Sequence, residues 1–119
     1  NMVSQVRDFK KCIFNFHCPP FDTHLDLAPR LDKDLRPVLG VGGTPEMIHV
    51  GSISIKEDIE KFGPVLSLHG HIHESRASQK IGQTLAVNPG SEYSEGILRG
   101  VLVNLDSGKG VKGYLLTSG

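Results

Sequence analysis

Residues 65–73 read VLSLHGHIH, an apolar segment that passes directly into three closely spaced histidines. The apolar part predicts a short buried strand. On extended backbone, His71 and His73 would project to the same side of the chain. Imidazole readily ligates borderline divalent metals, so this turn is a candidate metal site. A polar surface loop is the alternative that the GHIH motif leaves open by itself.

A second junction between a strand and a histidine lies near the beginning of the chain. Residues 12–16 predict a strand, which ends where His17-Cys18-Pro19-Pro20 must leave the sheet, because proline cannot donate to a ladder. His17 therefore follows a strand, as His71 does. Ligand sites often lie in loops that follow strands, so His17 strengthens the case for a metal site.

The whole pattern predicts an α/β (α+β) fold. A weak helical stripe covers 3–11, and a helix with capping-box spacing opens at Ser54 and ends at Gly63-Pro64. Residues 21–44 predict a long functional loop. Asn88-Pro89-Gly90-Ser91 has the chemistry of a type II turn. The other predicted strands cover 47–50, 65–68, 84–87, 98–105 and 111–116.

Charge and composition exclude several classes of protein. Thirteen Lys and Arg balance thirteen Asp and Glu, and no basic stripe follows a phosphate backbone, which argues against non-specific nucleic-acid binding. No apolar run approaches the roughly 20 residues of a membrane-spanning helix. Cys12 and Cys18 form neither a disulfide framework nor a CxxC pair. We therefore expect a cytoplasmic protein with no membrane partner, and one domain in 119 residues.

Five segments carry a resemblance to a known family. They are Asn15-Phe16-His17-Cys18-Pro19-Pro20, Thr23-His24-Leu25-Asp26, Val50-Gly51-Ser52, His69-Gly70-His71-Ile72-His73-Glu74-Ser75 and Asn88-Pro89-Gly90-Ser91-Glu92-Tyr93. Together they resemble the C-terminal half of calcineurin-like metallophosphoesterases, in the branch of small bacterial and archaeal phosphoesterases. The set runs along most of the chain and is specific, whereas GHxH alone is not.

The resemblance implies a β-sandwich flanked by helices, of which residues 1–119 would be the C-terminal portion. It implies two divalent metal ions (Mn, Fe or Zn), with His17 and His71 ligating one ion and His73 ligating the other. Two ions about 3.5–4 Å apart clamp a phosphoryl oxygen and lower the pKa of a bridging water, which attacks phosphorus in line. The implied function is hydrolysis of a phosphoester substrate.

Three motifs that the family carries earlier in its sequence are absent from these residues: a DxH triplet directly after a strand, GDxxD, and GNH followed by an acidic residue. Asp22-Thr23-His24 has the DxH spacing but lies in the predicted long loop. In the family they supply the bridging carboxylate, the Asn ligand and the histidine that protonates the leaving group. Three histidines without a bridging carboxylate leave two adjacent cations poorly neutralised. We therefore expect a fragment, whether a truncated reading frame, a proteolytic product or one piece of a split enzyme. It would bind metal partially or not at all and contain no catalytic residue.

Other polar residues are weaker candidates. His24 in the long loop can reach towards a substrate, or can be an ordinary exposed histidine. Asn88 resembles a family turn near the metals and is a candidate substrate contact, although turn chemistry alone also explains it. His69 lies inside the predicted strand, which favours a buried structural histidine over a third ligand. His49 receives no role.

Two other functions remain open. The chain can be a non-catalytic module that uses the same histidines to bind one metal or a partner that supplies the missing strands, or it can be a degenerate remnant. Exposed sheet edges favour association with an N-terminal half or self-association. The metal core is common to monoesters, diesters and cyclic nucleotides, so it does not identify the substrate.

Overall fold

The computed structural model describes residues 2–119 and has the mixed α/β fold expected, in which strands predominate. Short 3-10 turns at Val3–Gln5 and Phe9–Lys11 replace the helical stripe predicted over 3–11. The elements within residues 2–119 are β1 Ile13–Asn15, β2 Leu27–Pro29, β3 Met47–His49, α1 Ile53–Phe62, β4 Leu66–Leu68, β5 Ala77–Ile81, β6 Thr84–Asn88, β7 Arg99–Asp106 and β8 Gly110–Ser118.

A four-stranded sheet in the order β1-β4-β6-β5 forms the centre of the structure. Strands β1, β4 and β6 are parallel, with Asn15 opposite Leu68 and Leu68 opposite Val87. Strand β5 runs antiparallel to β6. It is absent from the sequence prediction because Ser78, Gln79 and Lys80 interrupt any apolar run. The parallel pairing places the carboxyl ends of β1, β4 and β6 along one edge.

Apolar side chains pack on both faces of this sheet. Phe14 and Ile59 belong to the cluster that joins the sheet to α1. Leu85 and Val87 belong to the cluster on the opposite face, where Val101 and other residues of the β7–β8 hairpin pack. Strand β6 is buried at every position, as expected of an inner strand between two layers.

Helix α1 begins at Ile53, with Ser52 as its N-cap, and not at Ser54. The Ser52 hydroxyl accepts a hydrogen bond from the Ile55 amide at 3.2 Å, and its backbone is extended, as at a normal N-cap. Gly63 in the left-handed conformation ends the helix, as predicted. The predicted start is wrong because the Ser54 capping-box pattern lies within the first turn. No helix of residues 2–119 has the length and apolar character to cross a membrane.

The segment predicted as a long loop is more ordered than its sequence indicates. Strand β2 lies within it and pairs antiparallel with β3. The Arg30 amide extends this pairing, because it donates to the Glu46 carbonyl at 2.8 Å. Within the segment between the two strands, the Val38 amide donates to the Arg30 carbonyl at 2.8 Å. Pro29 conceals β2 in the sequence, because proline within an apolar run is evidence against a strand.

The β7–β8 hairpin packs one face on the sheet and leaves apolar side chains on the other. Leu102 and Leu115 face each other across the hairpin and are 65% and 63% exposed. The radius of gyration is 15.8 Å, whereas a compact domain of this length has about 13.5 Å. The accessible surface is 7898 Å², against about 6300 Å² for a compact monomer of this mass. Apolar surface therefore remains uncovered.

A close approach at Gly51 holds the loop after β1 in place. An ideal Cβ on Gly51 would lie 2.7 Å from the carbonyl oxygens of Pro19 and Pro20, and 2.8 Å from Oδ2 of Asp26. The Ser52 amide next to it donates to the Pro19 carbonyl at 2.8 Å. Only glycine fits this contact without displacing backbone.

We expect Gly51→Ala to lower the free energy of unfolding by about 2 kcal/mol or more, because the added methyl group must displace backbone carbonyls. Urea unfolding followed by circular dichroism measures the change. Gly113→Ala is the matched control, since a Cβ at Gly113 meets nothing within 4 Å. Equal stabilities of the two variants would contradict the steric argument.

Candidate functional site

The candidate site lies where the three parallel strands end. His17 follows β1, His71 follows β4, and Asn88 is the last residue of β6. The Gly70 amide donates to the His17 carbonyl at 2.9 Å, which continues the β1–β4 pairing into the two loops. This edge of a parallel sheet is the usual location of ligand sites in α/β proteins.

His17 and His71 lie side by side. The distance between Nδ1 of His71 and Nε2 of His17 is 3.2 Å, and the two ring centroids are 5.0 Å apart. In a neutral pair, one ring nitrogen donates its proton and the other accepts it through its lone pair. Both residues are exposed at the surface. The structure thus brings together two imidazoles that are 54 positions apart in sequence.

The backbone that presents the His71 ring differs from the extended segment predicted. His71 has a φ of 64°, in the left-handed region, and β4 ends at Leu68. A non-glycine residue there costs of order 1 kcal/mol and more. The argument from alternation along a strand is therefore wrong for His71 and His73, because the chain turns between them.

The spacing of the two imidazole nitrogens fits a divalent metal. With metal–nitrogen bonds of about 2.0–2.1 Å, two neighbouring ligand nitrogens lie about 3–3.4 Å apart, and the observed separation is 3.2 Å. Two neutral imidazoles are also suitable donors for Zn, Mn or Fe. Within residues 2–119, however, no group of three or more His, Cys, Asp or Glu side chains is placed to hold a metal. The described residues therefore bring together two imidazole donors here and no third His, Cys, Asp or Glu.

His73 has a different environment from the other two histidines. Its ring stands perpendicular to that of Tyr93, with centroids 5.6 Å apart. Its carbonyl accepts a hydrogen bond from the Ser91 amide at 3.0 Å. His73 is therefore attached to the turn after β6, whereas His17 and His71 contact each other.

His69 connects β4 to the loop that carries His17. Its Nδ1 donates to the Cys18 carbonyl at 3.0 Å, so its Nε2 is the acceptor for the Ser67 hydroxyl at 2.7 Å. The ring is 5% exposed. Burial lowers the pKa of His69 from 6.5 to about 4. The backbone contacts of Cys18 and Phe16 raise this pKa, but their effect is smaller than that of burial. His69 is a buried neutral histidine that positions the His17 loop.

Asn88 and His24 occupy opposite environments. Asn88 is 0% exposed; its amide nitrogen donates to the carbonyls of Leu25 and Ile72 at 3.1 and 2.9 Å, and its oxygen accepts from the Gly90 amide at 2.9 Å. Enclosed in this way, Asn88 ties three loops together and presents no surface to a substrate. His24 is exposed, and its backbone is held by Gln79 and Ser75.

Asp26 and His49 form a pair that sequence reasoning missed. Asp26 is 0% exposed and accepts from Nδ1 of His49 at 2.7 Å and from the amides of Thr23 and Gly51 at 3.0 and 2.9 Å. Burial raises the pKa of Asp26, but these hydrogen bonds outweigh it and leave the pKa below 3.8. The spacing of Thr23 and Asp26 resembles a local turn, but no sequence signal connects Asp26 to His49.

Comparison with curated proteins finds a relative in Methanocaldococcus jannaschii, the uncharacterized protein MJ1162, with 39% identity over 90 residues. The match covers 74% of this chain and 35% of the relative. The chain therefore spans about a third of the length of the protein it matches. No family profile matches the chain, and no solved structure matches it.

We expect the stability of the metal-free protein to fall as the pH decreases from about 6.5 to about 4. In this range the unfolded chain binds a proton at His69, whereas the folded chain, with a His69 pKa of about 4, does not. The contribution is complete above about pH 6.5 and amounts to at most roughly 3 kcal/mol. Urea unfolding at several pH values measures the slope.

His69→Gln removes this titration and should flatten the slope. His24→Gln is the control, because His24 is an exposed histidine and its replacement should preserve the pH dependence. Identical slopes for wild type and His69→Gln would show that His69 does not titrate in this range.

Proposed function

We propose that the chain is the C-terminal portion of a calcineurin-like metallophosphoesterase, which hydrolyses phosphoesters at a dinuclear metal centre. The observation that carries this proposal is the 3.2 Å contact between Nε2 of His17 and Nδ1 of His71. Two imidazoles from loops after neighbouring parallel strands meet at the expected edge, at a spacing suited to one divalent ion.

In this proposal His17 and His71 hold one divalent ion and His73 holds the other. The ions would be Mn, Fe or Zn, and they would supply an activated water and polarise the phosphoryl oxygen. The protein's own contribution is to fix the ligands. His69 anchors the loop of His17 through the Cys18 carbonyl, while Asn88 anchors the backbone of Ile72, next to His71 and His73. His24 is kept as a candidate substrate contact, and Asn88 acts by positioning.

The remaining metal ligands must come from residues other than these three histidines. Two divalent ions carry four positive charges, and the histidines are uncharged as ligands, so carboxylates are needed to neutralise the centre. We assign them to a polypeptide with the family's DxH, GDxxD and GNH motifs, which would pair with this chain. We place the whole in the cytoplasm, consistent with two free cysteines, Cys12 and Cys18.

We expect zinc to bind this chain through His17 and His71. His17→Ala and His71→Ala should each weaken binding by about tenfold or more, because one of the two converging donors is lost. Equilibrium dialysis with elemental analysis measures the zinc content. His73→Ala should retain the His17–His71 site, and His24→Ala controls for exposed histidines in general. Unchanged zinc in His17→Ala and His71→Ala would remove their ligand role.

We expect hydrolysis to require the longer protein. With Mn²⁺ and bis(p-nitrophenyl) phosphate, this chain alone should turn over at least about 100-fold more slowly than a polypeptide that also carries the missing motifs, since the site depends on several ligands acting together. In the longer polypeptide, His71→Ala should cause a comparable loss. Equal activity of the short chain and the longer one would refute the assignment as a fragment.

A second candidate function is a non-catalytic module that binds one metal or a partner chain. The uncovered surface favours it: Leu102 and Leu115 are exposed on the hairpin, and Ile13 is 44% exposed on the edge strand β1. Self-association through the same surface is the other form of this candidate. If zinc is retained while the longer polypeptide hydrolyses no phosphomonoester, phosphodiester or cyclic nucleotide, the non-catalytic module replaces the phosphoesterase as the proposed function.

A further inference from the structure

A cavity of about 370 Å³ opens beside His73. Its walls include His73, Arg76, Glu92, Tyr93, Glu95 and Arg99. The volume lies within the range of small-molecule sites. One of the proposed metal ligands therefore also forms a wall of a cavity large enough for an organic group.

The turn after β6 fixes the geometry of this cavity. Gly90 has a φ of +75°, and a Cβ there would lie 2.9 Å from Cβ of Arg76 and 3.0 Å from the His73 carbonyl. The close approach lets the Ser91 amide donate to that carbonyl. The turn is thus attached directly to His73. Tyr93 lies two residues beyond Ser91, and its ring contacts the His73 ring.

Tyr93 provides an accessible aromatic platform. Its ring meets His73 edge to face and is 74% exposed, so most of its surface is free. Exposed aromatic rings beside a cavity stack planar groups, and this stacking tolerates different bases because every base has a π-face.

The charges around the cavity disfavour the binding of an anion in it. The Arg99 guanidinium is paired with the Glu92 carboxylate, so these two charges cancel. Arg76 then stands against the carboxylates of Glu74 and Glu95, all in the cavity wall. In the metal-free chain the cavity wall therefore has one more carboxylate than guanidinium groups. Carboxylates accept hydrogen bonds from hydroxyl and amino groups, so the walls suit an uncharged group with such donors.

We propose that this cavity binds the uncharged, planar part of the substrate, with the chemistry of a nucleoside, stacked on Tyr93 beside His73. Its assignment to the substrate rests on the proposed phosphoesterase function, whereas binding of the planar group does not require metal. A nucleotide phosphoester would then place its phosphate at the histidine edge and its base in the cavity.

The test uses nuclear magnetic resonance of this chain without metal. Adenosine should shift the amide resonances of residues 90–95 and saturate in the millimolar range or below. Ribose, choline and inorganic phosphate should cause smaller shifts at the same concentrations. Stronger shifts with choline would make the cavity a cation site and overturn the proposal, and stronger shifts with phosphate would make it an anion site and also overturn it.

Substitutions separate stacking from general effects. Tyr93→Ala should weaken adenosine binding at least about fivefold, whereas Tyr93→Phe should retain most of it, because the ring and not the hydroxyl stacks the base. Tyr114→Ala is the matched control, since Tyr114 lies on β8 and outside this cavity. Equal adenosine affinities of wild type and Tyr93→Ala, or no shift in residues 90–95, would overturn the inference.

The two proposals fail separately. Loss of adenosine binding with intact zinc binding through His17 and His71 would remove the nucleoside cavity and leave the metal site. Adenosine binding that depends on Tyr93, with no zinc held by His17 and His71 either in this chain or in the longer polypeptide, would keep the cavity and remove the proposed metal centre.

Discussion

The hydrogen bond from the Gly70 amide to the His17 carbonyl, at 2.9 Å, is the contact on which the candidate site depends. Parallel strands bring their carboxyl ends to one edge, but the loops beyond them are free to diverge. This bond extends the pairing of β1 and β4 into the loops that carry His17 and His71. The rings of His17 and His71 then meet, although their positions in the sequence are far apart.

Buried polar groups reinforce this arrangement from three sides. His69 binds the Cys18 carbonyl, Asn88 binds the carbonyls of Leu25 and Ile72, and Asp26 binds the amides of Thr23 and Gly51. No buried side-chain nitrogen or oxygen in residues 2–119 lacks a partner. Satisfied buried networks of this kind specify a single loop conformation, because breaking any bond leaves an enclosed polar atom unpaired. The exposed histidines thus rest on rigid supports.

Sequence patterns predicted the strands with continuous apolar runs and the position of His17 after one of them. They missed β5 and β2, whose side chains or proline conceal the pattern, and misplaced the start of α1 because two serines lie within one turn. The assignment of His69 as a buried histidine agrees with its position between Ser67 and Cys18. Long-range contacts such as His49 with Asp26 depend on how loops cross, which no local pattern encodes.

The left-handed backbone of His71 brings backbone stability into conflict with the presence of an imidazole at this position. Glycine would occupy this conformation without a steric cost, so replacement by glycine would relax the loop and remove the imidazole in the same step. A substitution that stabilises the fold here would therefore remove the contact with His17, and keeping that contact requires a strained backbone. Histidine at this position therefore keeps an imidazole beside His17 at the cost of a strained backbone.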